Sequence, residues 1–190
     1  VQEYDAIYRQ VKILKEYGFN AVRTSHNVSS SVLLDVCDEL GMLVMEEFFD
    51  GWSRSKNSNS KDFSTHFDRA ISSDNKILGA SAGDKWYKFI TESTVKRDRN
   101  RPSIIIWSAG NELNQMSGGY NNTTDVVYAQ AIKEAVSALD SRPLTEGNNN
   151  KSILGVDAYM DVLGGNYYPA IWAKTITTDK PIVLTETSSA

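Results

Sequence analysis

The chain has 190 residues, 41% hydrophobic and 23% charged, with a formal net charge of −4, an ordinary balance for one globular domain with a sizeable core. That mild acidity, without any lysine or arginine stripe, argues against a nucleic-acid or anionic-membrane partner, and no apolar run approaches the roughly 20 residues needed to cross a bilayer. The single cysteine, Cys37, excludes an internal disulfide or a Cys-rich metal site, and its apolar neighbours mark it as a small core residue.

In chain order, Tyr4, Ile7, Tyr8, Val11 and Leu14 fall on one helical stripe that stops at Tyr17-Gly18, glycine being suited to the residue just past a helix. A short strand is expected from Phe19 to Thr24. A second helix starts near a serine cap at Ser29 to Ser31, carries Val32, Leu33, Val36, Cys37 and Leu40, and closes at Gly41. "MLVMEEFF" reads as the second strand. The stretch from Asp50 to about Gly83 is polar and weakly periodic, and such a length inside a compact domain is usually functional or mobile. A helix is expected over Lys85 to Arg97, followed by an Arg101-Pro102 break and the third strand, "SIIIWSAG". Tyr128, Ile132, Ala135, Val136 and Leu139 mark another amphipathic helix. "RPLTEG", "DVLGGNYY" and "KPIVLTE" give the fourth, fifth and sixth strands.

Strands separated by helices, with nearly continuous apolar runs, imply parallel strands covered on their faces. No GxGxxG or Walker-type glycine loop follows any of them. The polar residues gather just after the strands instead: Arg23 and His26, Glu47 and Asp50, Asn111 and Glu112, Asn166 and Tyr167, and Glu186. That is the carboxyl-end placement of a (β/α)8 TIM barrel, here with six of its eight strands and so incomplete. A doubly wound sheet with reversed strand order is the alternative. The chain begins at Val1 inside a helical pattern and stops at Ala190 soon after a strand, so both ends are expected to be cuts in something longer.

Glu112 and Glu186 each end a buried β-branched run, "SIIIWSAGNE" and "PIVLTE". Two carboxylates facing each other across a sugar are what glycoside hydrolysis needs, one protonated to help the leaving oxygen and one ionised to attack. A gap of about 5–5.5 Å between them means retention of configuration, and a wider one leaves room for a water and inversion. The competing reading is that each is a strand-end carboxylate meeting an arginine.

"NAVRTSHNVSSSVLLDVCDELGMLVMEEFFDGW", "KRDRNRPSIIIWSAGNE" and "KPIVLTE", in this order and spacing, resemble the catalytic barrel of family 2 glycoside hydrolases, which contains β-galactosidases, β-glucuronidases and β-mannosidases. The resemblance covers essentially the whole chain. It implies that Glu112 is the acid/base, Glu186 the nucleophile, and Asn111 the hydrogen-bonding partner of the sugar 2-hydroxyl. Arg23 matches an arginine that keeps the nucleophile ionised, and His26 a histidine at the sugar subsite. Tyr167 matches a tyrosine bonded to the nucleophile, with a one-residue ambiguity towards Tyr168, and Asn166 lines the same floor. Asp50 matches an acid set against sugar hydroxyls, with Trp52 as a candidate stacking face. The magnesium pattern of one branch is not carried over, because no histidine follows Glu47 until His66, and no cofactor is expected.

The resulting expectation for residues 1–190 is a single catalytic domain of a retaining exo-β-glycosidase, most closely β-galactosidase-like, acting on a glycoside or oligosaccharide. Flanking β-sandwich domains in a longer chain are expected with it. The alternatives are β-glucuronidase or β-mannosidase specificity, or a non-catalytic carbohydrate-binding fragment. Open barrel edges imply weak activity in isolation, or pairing with a second copy. Nothing in the sequence fixes the compartment.

Overall fold

The computed structural model describes residues 3–56, 58–113, 122–152 and 154–187. Among these residues six helices, α1 (Tyr4–Glu16), α2 (Ser31–Leu40), α3 (Ser64–Phe67), α4 (Trp86–Asp98), α5 (Asn122–Ser137) and α6 (Pro169–Lys174), are interspersed with six strands. These are β1 (Ala21–Arg23), β2 (Leu43–Glu47), β3 (Ile104–Asn111), β4 (Leu144–Asn148), β5 (Leu163–Asn166) and β6 (Ile182–Glu186). All neighbouring strands are parallel, and the sheet order is simply β1 to β6. The order never reverses, which removes the doubly wound alternative. The sheet curls into an incomplete TIM barrel.

Local chemistry sets the element ends. Ser30 caps α2 by accepting from the Leu33 amide at 3.2 Å, and Gly41, at φ +64°, ends it in the left-handed conformation that glycine adopts without strain. The first strand is only three residues, shorter than the expected Phe19 to Thr24, and the fifth loses both ends of "DVLGGNYY". The sequence pattern gave no sign of α3 or α6, and the β4–β5 crossover carries only a 3-10 turn, Gly155–Tyr159.

The outer face of the sheet is the dry one. Val44, Ile104, Trp107 and Leu144 join Leu34, Cys37, Val95 and Ile132 from the helices in one core. The inner face is filled only where polar groups meet at the mouth. Towards the bottom of the curl Leu43, Ile105 and Leu184 remain 37–45% exposed, as six strands do not close a barrel whose interior needs eight.

Three register shifts re-aim side chains. Val44 pairs with Ile104 but Met45 with Ile106, leaving Ile105 as an extra residue in β3. Ser108 pairs with Thr145 but Asn111 with Gly147, and Gly165 pairs with Leu184 but Asn166 with Glu186. The last two shifts lie at the mouth, immediately before Glu112 and at Glu186, where bulges commonly redirect functional groups. Gly164 is demanded by close approach, because a Cβ there would lie 1.9 Å from the Glu146 carbonyl oxygen.

Two acids are sealed behind the strands. Glu46 accepts from the Ser29 amide at 2.8 Å and from its hydroxyl. Glu146 is fully buried beside Asp157. Burial, followed by the charge of Asp157, pushes the Glu146 acid well above the ordinary glutamate range. A folded-state value above the unfolded one stabilises the fold fully below the unfolded value, and that stabilisation is lost as pH rises through the folded value. Glu146→Gln keeps the volume and removes the charge. We expect it to raise Tm by a few degrees at pH 8, with the gain vanishing towards pH 4 in thermal melts followed by circular dichroism.

Candidate active site

The mouth is organised around Arg23 at the end of β1. Its Nε and Nη2 donate to Glu47 Oε2 at 2.9 and 2.6 Å, Nη1 to Glu186 Oε1 at 2.8 Å, and Nη2 also to Asn111 Oδ1 at 2.9 Å. Its side chain is 9% exposed, so these charge-assisted contacts are weakly screened. Glu47, fully buried, also accepts from Ser108 Oγ at 2.7 Å and faces His26 Nδ1 at 2.7 Å. A carboxylate partner makes Nδ1 the protonated nitrogen and turns Nε2 towards Asn111 Nδ2 (3.4 Å) and Glu186 Oε1 (3.8 Å).

Glu186 is gripped from two sides, by Arg23 and by the Tyr167 hydroxyl, which donates to Oε2 at 2.6 Å. Burial raises its acid, but the hydrogen bonds from Tyr167 and Arg23, with the charges of Arg23 and His26, outweigh this and hold it below the ordinary glutamate value. The same hydrogen bond pushes Tyr167 up to about 12. Tyr167 Oη is the atom that reaches Glu186. Tyr168 is 44% exposed and carries Lys151 Nζ 4.4 Å over its ring, so the one-residue ambiguity resolves in favour of Tyr167.

Glu112 sits just past the end of β3, at φ +49°, with its amide donating to the Gly147 carbonyl at 2.6 Å. A non-glycine residue in that region is held there by its surroundings, and such strain gathers at functional sites. Its Oε1 accepts from Asn166 Nδ2 at 3.0 Å, and its Oε2 lies 3.7 Å from Lys56 Nζ. Asn166 also donates to Asn111 Oδ1 at 3.0 Å and accepts from Thr185 Oγ1 at 2.6 Å. One continuous network therefore joins Glu112 to Glu186. Gly147 makes room for it, because a Cβ there would come within 2.7 Å of Arg23 Nη2 and 2.8 Å of Asn111 Oδ1.

Arg23, His26, Asp50, Asn111, Glu112, Asn166, Tyr167 and Glu186 thus meet at one end of the sheet. Asp50 is present through Asn111 Nδ2, which donates to its Oδ1 at 3.3 Å. Trp52 is not a stacking surface. It is fully buried, donates to the Ala109 carbonyl at 3.0 Å and packs on Phe67. His66 is remote from this network and exposed. Three participants had no assigned role: Glu47, visible only as an acid at a strand end, Thr185, and Lys56, whose ammonium binds Asp50 Oδ1 at 2.7 Å. Nothing in the spacing of the long polar stretch marked Lys56. Among the described residues no group of three or more His, Cys, Asp or Glu side chains is arranged to hold a metal ion, and no helix is long and apolar enough to cross a membrane.

Comparison with known proteins adds an independent line. The family model described as "Glycosyl hydrolases family 2, TIM barrel domain" matches residues 1–189. The chain is 31% identical over 220 aligned positions to a β-galactosidase of Bacteroides ovatus, covering 97% of this chain and 24% of that protein. Among solved structures it is similar to a glycosyl hydrolase family 2 member from Bacteroides cellulosilyticus, at 33% identity and a TM-score of 0.76 over 98% of this chain and 22% of that one. It is also similar to a β-D-glucuronidase of Dictyoglomus thermophilum, at 26% identity and a TM-score of 0.72 over 99% of this chain and 33% of that one. The chain therefore spans about a quarter to a third of the length of these relatives.

The grip on Glu186 can be tested without any substrate. Tyr167→Phe removes the largest of the influences that lower its acid, so Glu186 is expected to titrate at higher pH in the variant. Carbon-13 NMR of labelled glutamate carboxyls reads this directly, and an unchanged Glu186 titration would show that the hydrogen bond carries no weight.

Proposed function

The chain belongs to glycosyl hydrolase family 2, through its TIM barrel domain, and from that membership we propose that it is the catalytic domain of a retaining exo-β-glycosidase acting on terminal β-galactosides. The observation that carries this reading is the unequal treatment of two glutamates in one network. Glu186 is bonded by Arg23 and Tyr167 and held below its ordinary acid range, as a nucleophile requires. Glu112 receives one neutral amide hydrogen bond from Asn166, with the Lys56 ammonium 3.7 Å from its other oxygen and beyond hydrogen-bonding distance, and we read it as the group that exchanges a proton.

In the first step Glu112 donates its proton to the glycosidic oxygen while Glu186 attacks the anomeric carbon and the bond to the leaving group breaks. In the second, Glu112 removes a proton from water, which displaces Glu186 and releases the sugar with its configuration retained. Asn111 Nδ2 serves the 2-hydroxyl, where contacts strengthen as positive charge develops at the ring. Arg23 keeps Glu186 ionised until it attacks and receives its carboxylate again when water displaces it in the second step. His26, through the nitrogen not bonded to Glu47, and Asp50 meet further hydroxyls.

The charges of the described residues support a neutral galactoside over a uronic acid. Glu47, Asp50, Glu112 and Glu186 line the mouth against Arg23 and Lys56, and both cations already lie against carboxylates. A substrate carboxylate would add a fifth anion. The curated relative from Bacteroides ovatus, named a β-galactosidase, agrees with this choice. We read residues 1–190 as one domain of a longer protein, in keeping with the greater length of its relatives.

The test is a panel of nitrophenyl β-glycosides on the full-length protein, with the first-formed anomer identified by NMR. The galactoside should be turned over fastest and yield the β-anomer. Glu186→Gln should abolish turnover. Glu112→Ala should lower kcat/KM about 10²- to 10⁴-fold on a poor leaving group, the range of general acid–base catalysis, and much less on an activated one. An α-anomer, or unchanged turnover in Glu186→Gln, would overturn the assignment.

A further inference from the structure

Lys56 has no assigned part in the site above, yet its position is built with care. Its main-chain amide donates to Asp62 Oδ2 at 2.9 Å, and the other Asp62 oxygen accepts from the Ser64 amide at 3.0 Å and from the Ser64 hydroxyl. The loop after β2 is thereby folded back so that the lysine enters the mouth with only 12% of its side chain exposed. Removing an ammonium from water is costly unless partners replace its hydration. Here it meets Asp50 Oδ1 at 2.7 Å and lies 3.7 Å from Glu112 Oε2.

An ammonium has three donors. One is used at hydrogen-bonding distance on Asp50, and the Glu112 contact is an ion pair longer than a hydrogen bond. Among the described residues, donor capacity therefore remains in the space between Asp50 and Glu112. Asp50 is itself 41% exposed at the side chain and has its Oδ1 shared between Lys56 and Asn111. A donor beside an acceptor suits a sugar, each of whose hydroxyls both gives and takes a hydrogen bond.

We propose that Lys56 is a specificity-determining residue of the sugar site, donating a hydrogen bond to one ring hydroxyl of the bound glycoside while Asp50 accepts from it or its neighbour. This rests on the glycosidase reading, and it goes beyond that reading in assigning to the lysine a contact with the glycone. A purely structural lysine would hold Asp50 in place and touch nothing else, which makes the two roles separable.

The experiment compares kcat/KM of the full-length wild-type protein and Lys56→Met on nitrophenyl β-galactoside and its 3-, 4- and 6-deoxy analogues. Losing a hydrogen bond from a charged donor corresponds to about 10- to 100-fold. Lys56→Met should lose that factor on the parent sugar. It should lose less than about 3-fold on the one deoxy analogue that lacks the contacted hydroxyl, the non-additivity expected of directly interacting groups. Lys56→Gln, which retains a donor, should recover part of the loss, and is read alone if Lys56→Met fails to fold. The same fold-loss on all four substrates in the folded variant would overturn the proposal while leaving the glycosidase reading intact. Absence of turnover by the wild-type protein on every β-glycoside would remove both.

Discussion

Everything at the mouth of this sheet depends on one guanidinium. β1 and β6 are the two ends of the sheet and share no ladder hydrogen bonds, yet Arg23 on β1 reaches the Glu186 carboxylate and, at 3.4 Å, the Thr185 carbonyl on β6. Its remaining donors fix Glu47 on β2 and Asn111 on β3. A guanidinium can do this because it is planar, permanently charged and carries five donors in a fixed fork. A lysine there would supply one charge but could not set four groups in one plane. The arginine therefore ties the first and last strands of the described sheet together at the level where the carboxylates converge.

That concentration of polar groups is tolerable only because the backbone yields to it. Strand ends at the mouth donate across to the next strand: Asn111 to Asp50, Glu112 to Gly147, and Tyr167 to Glu186. Both Glu112 and Tyr167 take positive φ to do so. Residues in that conformation persist when their surroundings over-determine them. Here the over-determination is visible, since each has a short main-chain bond on one side and a committed side chain on the other. Gly147 complements them from the opposite direction. It is the position where a side chain would occupy the space that Arg23, Asn111 and Asn166 fill.

How much of this was legible in the sequence follows from what kind of signal each feature leaves. Buried strands such as "SIIIWSAGNE" announce themselves by their apolar runs, and a carboxylate ending such a run stands out against it, so the six strands, their parallel order and the Glu112–Glu186 pair were readable. The family resemblance added Arg23, Asn111 and Tyr167, whose side chains carry no periodic signature of their own. The sequence leaves Trp52 open, because a tryptophan after a strand looks the same whether it faces a ligand or the interior, and Phe67 and the Ala109 carbonyl claim it. Lys56 is invisible in the sequence because its position arises from loop closure over Asp62, a contact six residues apart in a segment without periodicity. The register shifts were equally silent. They aim Asn111 and Glu186, but a bulge is decided by pairing between strands and not by either strand alone.

The unequal surroundings of the two glutamates finally depend on which elements supply their neighbours. Glu186 draws on β1 for Arg23 and on the end of β5 for Tyr167, both anchored by the sheet itself. Its charge is thus favoured by groups at the ends of two strands. Glu112 draws on Asn166, at the end of β5, and on Lys56, carried by a loop. Under the proposed mechanism a nucleophile must be ionised when it attacks, whereas an acid/base must change its protonation twice per turnover, and a group that cycles is better served by neutral or movable partners than by a second locked cation. The fold provides this asymmetry without any difference in the glutamates themselves. It comes from one being bound by two groups of the sheet and the other by one sheet amide and one loop cation.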